Sequence, residues 1–397
     1  MTYYNKTDII VYVFYRFKRN KYVRTGSPVK GTDFIDRKKH LPIFKEYLNN
    51  NQHVMIKAPR RFGKTSLIKQ VFEHEKSYVY IYVDLRRATN LKSLANQIIE
   101  KAYAFAGIDN FFYTLKKSIT GLLKSIQNVK IDDIGEVTLK FLENDEFDEI
   151  EYFLHSLEVV EKIGIKKEIN IKFVFDEFQD ILRISDNFIL EQLRSIMQHH
   201  EKVTYIFLGS IETIMTKIFE DKTSSFFHFA RVMQLEGLDI KELYEYTRNV
   251  FDSLDVKYDN SLIMLLEFLK GHPDYSMQVL QSIYFKIKID NLKEINEILC
   301  IDNLKIVIDE NRAYLEELIL KAKQKKYHYE VLYCIANKLS TELNPKTLYS
   351  VHSSLEDMGL IKKLDRAEYI INDIFLNIIL QQKDDEYISI SNLEKLS

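Results

Sequence analysis

The chain has 397 residues, 46% of them hydrophobic and 29% charged, with a formal net charge of −2. That length allows two or three domains with cores of their own, and the near-neutral balance excludes a protein that coats nucleic acid along its whole surface. Cys300 and Cys334 match no metal spacing and point to a reducing compartment, and no apolar run reaches the roughly 18–20 residues of a membrane helix, so a cytoplasmic protein with no membrane partner is expected.

Residues 1–32 read as a basic N-terminal arm. Its apolar run Ile9-Ile-Val-Tyr-Val-Phe-Tyr15 is too short to span a bilayer, and no small-residue cleavage site follows it. Arg16, Lys18, Arg19, Lys21, Arg24 and Lys30 follow without an intervening acidic residue, interleaved with Tyr15, Phe17 and Tyr22. Such a mixture holds single-stranded nucleic acid by charge and stacking, or serves as a solvated arm or an oligomer contact. From Phe34-Ile-Asp-Arg37 the pattern becomes periodic. A helix over 38–48 precedes the strand His53-Val-Met-Ile-Lys57. A second strand, Tyr78-Val-Tyr-Ile-Tyr-Val-Asp84, is nearly all β-branched or aromatic, as a strand buried on both faces requires. Helices are expected over 91–106, 113–126 and 146–163, with a hairpin over 129–141. Strands follow at Ile169-Asn-Ile-Lys-Phe-Val-Phe175 and Val203-Thr-Tyr-Ile-Phe-Leu208, with a helix over 188–199 between them and another over 211–219. Strands alternating with helices of this length define an α/β fold with a parallel sheet covered on both faces.

Beyond about Gly237 the strands stop, and helical periodicity runs over 240–254, 261–270, 276–288 and 307–323. The last stretch has the order of a winged helix-turn-helix. A helix over 329–339 and the turn Thr341-Glu-Leu-Asn-Pro345 come first. A helix over 346–358 then ends at Gly359, ahead of strands over 360–364 and 368–371. The polar end of the chain reads as a flexible tail.

The chemistry centres on Ala58-Pro-Arg-Arg-Phe-Gly-Lys-Thr-Ser66, between the first strand and a helix. A nucleoside triphosphate needs backbone N–H groups around its phosphates, a helix N-terminus aimed at them, and a cation on the β/γ oxygens. Gly63 allows the close backbone approach, Lys64 supplies the cation, and the Thr65 hydroxyl suits Mg²⁺. Ala58 stands where the pattern G-x-x-x-x-G-K-[ST] has its first glycine. Arg60 and Arg61, inside the loop, either touch the nucleotide or pair with acidic groups. Asp176 and Glu177, at the end of an apolar strand where open α/β sheets bind ligands, would hold Mg²⁺ through water and polarise the attacking water respectively. Ser210 either senses the γ-phosphate or caps the helix that follows it. Arg231 is either presented to a neighbouring subunit's nucleotide or forms a surface ion pair. The break Gly271-His-Pro273 either brings His272 towards the nucleotide or is a turn with a satisfied histidine.

Together these residues make the chain resemble the archaeal-type ATPase family, within the STAND and AAA+ branches of the P-loop NTPases. The carriers are Phe34-Ile-Asp-Arg37, Arg60-Arg-Phe-Gly-Lys-Thr65, Phe175-Asp-Glu-Phe-Gln179, Gly209-Ser210, Phe229-Ala-Arg231, Gly271-His-Pro273 and the region ending near Asn372-Asp-Ile-Phe375. The resemblance implies a three-layer P-loop NTPase core with a parallel sheet (33–236), a helical lid (237–325) and a winged helix-turn-helix domain (326–383), ahead of the tail at 384–397. It implies ATP and Mg²⁺ as cofactors. Ala58, Pro59, Arg60, Arg61, Phe62, Gly63, Lys64, Thr65, Ser66, Ser210 and His272 would bind the nucleotide, and Thr65 and Asp176 the metal. Glu177, Lys64 and Arg231 would act in catalysis.

The expected function is that of an ATP-driven conformational switch with ATPase activity, a protein partner and self-assembly. A DNA-associated ATPase is the alternative, and a scaffold that binds ATP without turnover is a third reading. Charge disfavours nucleic acid. Lys338, Lys346, Lys362, Lys363 and Arg366 in the last region face Glu330, Glu342, Glu356, Asp357, Asp365, Glu368 and Asp373, which leaves it net negative.

Overall fold

A computed structural model describes residues 23–74, 78–105, 148–186, 188–365 and 368–381. The expected elements over 113–126 and 129–141, the start of the helix over 146–163, the arm up to residue 22 and the tail over 384–397 lie outside these residues. The chain divides into two compact units. One is built from Lys39–Ala58 and Val71–Gln234, the other from the described parts of Met1–Lys38, Pro59–Gln70 and Leu235–Ser397.

The elements run in chain order as α1 (His40–Asn49), β1 (Val54–Lys57), α2 (Lys64–His74), β2 (Val79–Asp84), α3 (Leu91–Phe105) and α4 (Glu149–Lys167). They continue with β3 (Ile171–Asp176), α5 (Ile181–Ile184), α6 (Phe188–Met197), β4 (Val203–Gly209), α7 (Glu212–Phe219) and β5 (Arg231–Gln234). Among the described residues the five strands form one parallel sheet in the order β2-β3-β4-β1-β5. Every residue of β3 and β4 is buried, so both faces of the sheet are covered, as parallel pairing through helical crossovers requires. One face is an aromatic layer. The register sets Phe173 against Tyr205 and Phe175 against Phe207, and the Phe175 and Phe207 rings stack with centroids 5.8 Å apart. Phe178, Phe219 and Phe226 close over them, an arrangement in which offset and edge-on ring contacts add to simple area burial. The strand β5 is one the sequence reading misses. Of its four residues only Met233 is buried, because an edge strand needs little apolar content to pair.

The other unit is mainly helical, with α8 (Ile240–Asp252), β6 (Lys257–Tyr258), α9 (Ser261–Phe268), α10 (Pro273–Asp290), β7 (Glu294–Ile295), α11 (Glu297–Glu310) and α12 (Arg312–Lys323). It ends in α13 (His328–Ala336), α14 (Pro345–Asp357), β8 (Ile361–Asp365), β9 (Glu368–Ile371) and α15 (Ile374–Gln381). Two expectations are corrected here. Strands do not stop between Gly237 and the last region, since β6 and β7 form a short parallel pair; β8 and β9, expected over 360–364 and 368–371, form an antiparallel one. The single helix expected over 307–323 is two helices broken at Asn311, whose side chain turns back to the Val307 carbonyl and across to Gln278. One continuous core runs from Leu243 and Val250 through Leu265, Val279 and Leu304 to Val351, Leu355 and Phe375. Val23 is buried in it, its carbonyl accepting from Gln281 Nε2 at 2.7 Å. Among the described residues no helix is long and apolar enough to cross a membrane.

Buried histidines give the fold an acid limit. Burial pushes His53 and His155 down to about 4 and His272 to about 3, and lowers His200. Between these values and the ordinary 6.5, the unfolded chain binds protons that the folded chain refuses, so stability rises with pH through that window. Thermal melts at pH 7 and pH 5.5 are expected to show a loss on the order of 1 kcal/mol for each of His53, His155 and His272, and His155→Gln, at a buried position, is expected to remove its share.

Candidate functional site

The phosphate loop leaves the carboxyl end of β1, which lies between β4 and the edge strand β5. Gly63 has φ +83, a left-handed conformation that glycine adopts without the penalty a side chain incurs. The Leu67 N–H donates to the Gly63 carbonyl at 2.9 Å and opens the hydrogen-bond ladder of α2. A glycine-containing loop that runs into a helix N-terminus in this way suits phosphate, because the first turn's N–H groups and the helix dipole favour an anion. Lys64 is 6% exposed and its Nζ donates to the Pro59 carbonyl at 3.0 Å. Thr65 and Ser66 are half-buried on the first turn, and the Ser66 hydroxyl accepts from the Val29 N–H at 3.2 Å. Arg60 is exposed.

Ala58 is fully buried at the end of β1, its N–H donating to the Gly209 carbonyl at 3.4 Å. It is not among the residues of positive φ, so a Cβ at this position carries no backbone strain. The departure from glycine is conformationally neutral.

Within the helical unit, the loop is gripped from outside. Arg61 sits at φ +68, and its guanidinium pairs with Asp274 at 3.3 Å and donates to Asn311 Oδ1 at 3.0 Å. It also lies 5.0 Å over the Tyr314 ring. Of the two readings for this arginine, pairing with an acidic group of the same chain is the one observed. Phe62 meets the His272 ring edge-on at 4.8 Å, and His272 stacks on Tyr275 at 4.1 Å. His272 caps α10, its Nδ1 accepting from the Tyr275 N–H at 3.2 Å. Burial first, and the nearby Arg61 charge second, keep it neutral at physiological pH. Arg37, 2% exposed, donates to the Phe62 and Glu236 carbonyls, each at 2.8 Å. The Phe34-Ile-Asp-Arg37 motif thus braces the loop's backbone, while Asp36 accepts from the Asp239 N–H at 2.9 Å.

In the sheet unit, β3 ends on Asp176 and β4 on Gly209, and these strands are neighbours. Asp176 is 6% exposed, accepting from the Tyr82 hydroxyl and, at 3.0 Å, from the Glu177 N–H. Glu177 is 3% exposed and left-handed at φ +55. Its Oε1 pairs with Arg86, and its Oε2 accepts from Gln179 Nε2 at 2.6 Å and from the Ser210 hydroxyl. The structure therefore brings Asp176, Glu177 and Ser210 into one cluster. Ser210 does not cap α7: the capping position is Ile211 and has no side-chain bond. Tyr82 and Arg86 were missed from sequence, and Gln179 was read only as the end of the motif Phe175-Asp-Glu-Phe-Gln179. The carboxyl end of β2, Asp84-Leu-Arg-Arg87, was the available signal, because β2 pairs with β3 and sets Asp84 beside Asp176.

Arg231 is exposed at the amino end of β5, paired in register with Val54, whereas the loop follows Lys57 opposite Gln234. Three residues of strand, roughly 10 Å, separate it from the carboxyl edge of its own sheet.

No protein-family model matches this sequence, and no curated protein does either. The folded chain is similar to a Walker-type ATPase, PABY2304, of Pyrococcus abyssi, with a TM-score of 0.63 and 18% identity over 92% of this chain and 100% of that one. It also aligns with the ORC2 protein of Aeropyrum pernix in its ADP form, at a TM-score of 0.48 and 13% identity over 96% of this chain and 97% of that one. A third match is the RuvB Holliday junction branch migration motor of Thermotoga maritima, at 0.43 and 12% over 92% and 99%. The parallel sheet order, the loop at the end of its interior strand β1 and the likeness to the Pyrococcus structure define the class: the chain has the P-loop NTPase fold, with a helical C-terminal region.

Proposed function

We propose that the chain is a Mg²⁺-dependent ATPase of AAA+ type that works as a nucleotide-driven switch. The observation that carries this reading is the sheet edge. The phosphate loop follows β1, Ser210 follows the adjacent β4, and Asp176 and Glu177 end β3 beside it. In this reading Lys64 neutralises the β/γ-phosphates, and the oxygens of Thr65 and Asp176 are hard donors of the kind Mg²⁺ takes. The metal, when bound, supplies charge neutralisation on the phosphates. Glu177 accepts the proton of the attacking water, and Ser210 and Arg86 hold its carboxylate until then.

The switch rests on the grip of the helical unit on Arg61 and Phe62. A nucleotide that reshapes the loop acts directly on Asp274, Asn311 and His272, and so on the helices that carry them. The same core extends into α13, α14, the β8–β9 hairpin and α15, an element order we read as a winged helix that serves as the moving part and the docking module for a protein partner. Arg231, exposed and remote from its own sheet edge, is read as acting on the nucleotide of a second copy.

Titration with a fluorescent ATP analogue tests the binding half of the reading. The intact chain is expected to bind it with Mg²⁺ present, and Lys64→Ala to lose about 100-fold in affinity, consistent with removal of a buried charge-assisted contact. Equal binding by both would contradict the assignment of the loop.

A further inference from the structure

We propose that residues 384–390 of this chain dock into an apolar cleft beside α15 and thereby restrain the phosphate loop through Phe62. The docking stands on the helical unit alone. The restraint on nucleotide binding rests on the reading above.

The cleft has a volume of about 540 Å³, inside the roughly 300–1,000 Å³ of sites that receive ligands. Its apolar lining includes Ile335, Leu339, Leu348, Ile370 and Ile374. Leu339 is 55% and Ile370 36% exposed, so a cover of apolar side chains would take large apolar surface out of water. The ionised side chains of its described lining are Lys270, Lys338 and Glu368, which leaves an excess of positive charge. Phe62 and His272 line the cleft as well. Whatever fills it therefore touches the phosphate loop at the residue after Arg61.

The end of α15 fixes where the remaining chain starts. Gln381, the last residue of α15, lines the cleft. Its Nε2 donates to the Ala336 carbonyl at 2.7 Å, and Asn337 Nδ2 donates to the Leu380 carbonyl at 3.0 Å. These bonds hold the end of α15 against the end of α13, just before Lys338. The sequence then runs Gln382-Lys-Asp-Asp-Glu386 and Tyr387-Ile-Ser-Ile390. Asp384 is three residues beyond Gln381, a reach of at most about 10 Å, which brings the acidic triplet to Lys338. Tyr387, Ile388 and Ile390 follow within a reach of about 20–30 Å and supply the apolar cover. A segment tethered this closely has a millimolar effective concentration at the cleft, which favours it over the same segment of a second copy.

The chain has two cysteines. Cys300 is buried, whereas Cys334 is half-buried and lines the cleft, so labelling by N-ethylmaleimide reports whether the cleft is covered. The test compares the full chain with Ile388→Asp/Ile390→Asp, with the labelled residue identified by mass spectrometry. Cys334 of the parent is expected to react about 10-fold more slowly, as a cleft covered nine-tenths of the time requires. A peptide of residues 382–397 at millimolar concentration is expected to slow labelling of the variant again, which it could not do for a variant that had lost its fold. Equal labelling of parent and variant overturns the inference, and so does a peptide without effect. Protection of the parent that grows with protein concentration also overturns it, since the occupant is then a second copy. In titration with the fluorescent ATP analogue, the variant is expected to bind about 3- to 10-fold more tightly, because the loop no longer gives up the docked contact to adopt its binding geometry. Equal affinity overturns the restraint. Absence of binding by either chain overturns the nucleotide reading, and Cys334 labelling still decides the docking.

Discussion

Glu177→Gln is expected to lower phosphate release by about 100- to 1,000-fold while ATP affinity stays within a few-fold of the parent. The carboxylate is the group that takes the water's proton, and removing a general base costs rate at this scale. Binding is expected to survive because Glu177 makes its contacts to Arg86, Gln179 and Ser210 within the sheet unit. A glutamine can keep the Arg86 contact through its amide oxygen and donate its NH2 to the Ser210 hydroxyl oxygen, and Arg86 is 42% exposed, so water can solvate whatever the lost charge leaves. Parallel measurement of single-turnover release and of ATP affinity separates the two effects. A matched fall in both would mean that Glu177 holds the nucleotide and does not act on water.

Gly271→Ala is the substitution with the largest expected effect on stability. Gly271 has φ +61, and a Cβ there would lie 2.1 Å from the Leu238 carbonyl oxygen and 3.0 Å from the Leu238 nitrogen. The obstacles are backbone atoms, and the Leu238 N–H already donates to the Gly271 carbonyl at 2.7 Å. Relief therefore requires moving the segment that leads into α8. Left-handed strain on a non-glycine residue costs about 1–2 kcal/mol, and the clash brings the expected loss to about 3–5 kcal/mol, read from urea unfolding. The break before α10 exists to let the chain pass close to Leu238, and it sets His272 at the capping position next to Phe62.

Much of this architecture was legible in the sequence for local reasons. The strands of the sheet interior are continuous β-branched and aromatic runs, the phosphate loop is a contiguous pattern, and Asp176-Glu177 follows directly from an apolar strand. The features that escaped are those fixed by distant parts of the chain. Arg86 and Tyr82 reach Glu177 and Asp176 because β2 and β3 are neighbours, across more than 60 intervening residues, and no local pattern encodes that pairing. β5 is an edge strand of four residues with only Met233 buried, too short to show a readable strand pattern. The division of the helix at Asn311 depends on the Asn311 side chain meeting Gln278 and Arg61. The direction of Arg61 depends on one left-handed backbone position that a consensus motif does not report. Phe34-Ile-Asp-Arg37 was legible as a motif, but its work of bracing the Phe62 carbonyl needed the fold.

The most direct test of the account is phosphate release from Mg·ATP by the intact chain over a range of protein concentrations, beside Lys64→Ala. Release that disappears in Lys64→Ala, and that rises per chain with concentration in the parent and less so in Arg231→Ala, is the predicted result. ATP bound by the parent with no phosphate released at any concentration would contradict the ATPase reading and leave a nucleotide-held scaffold in its place.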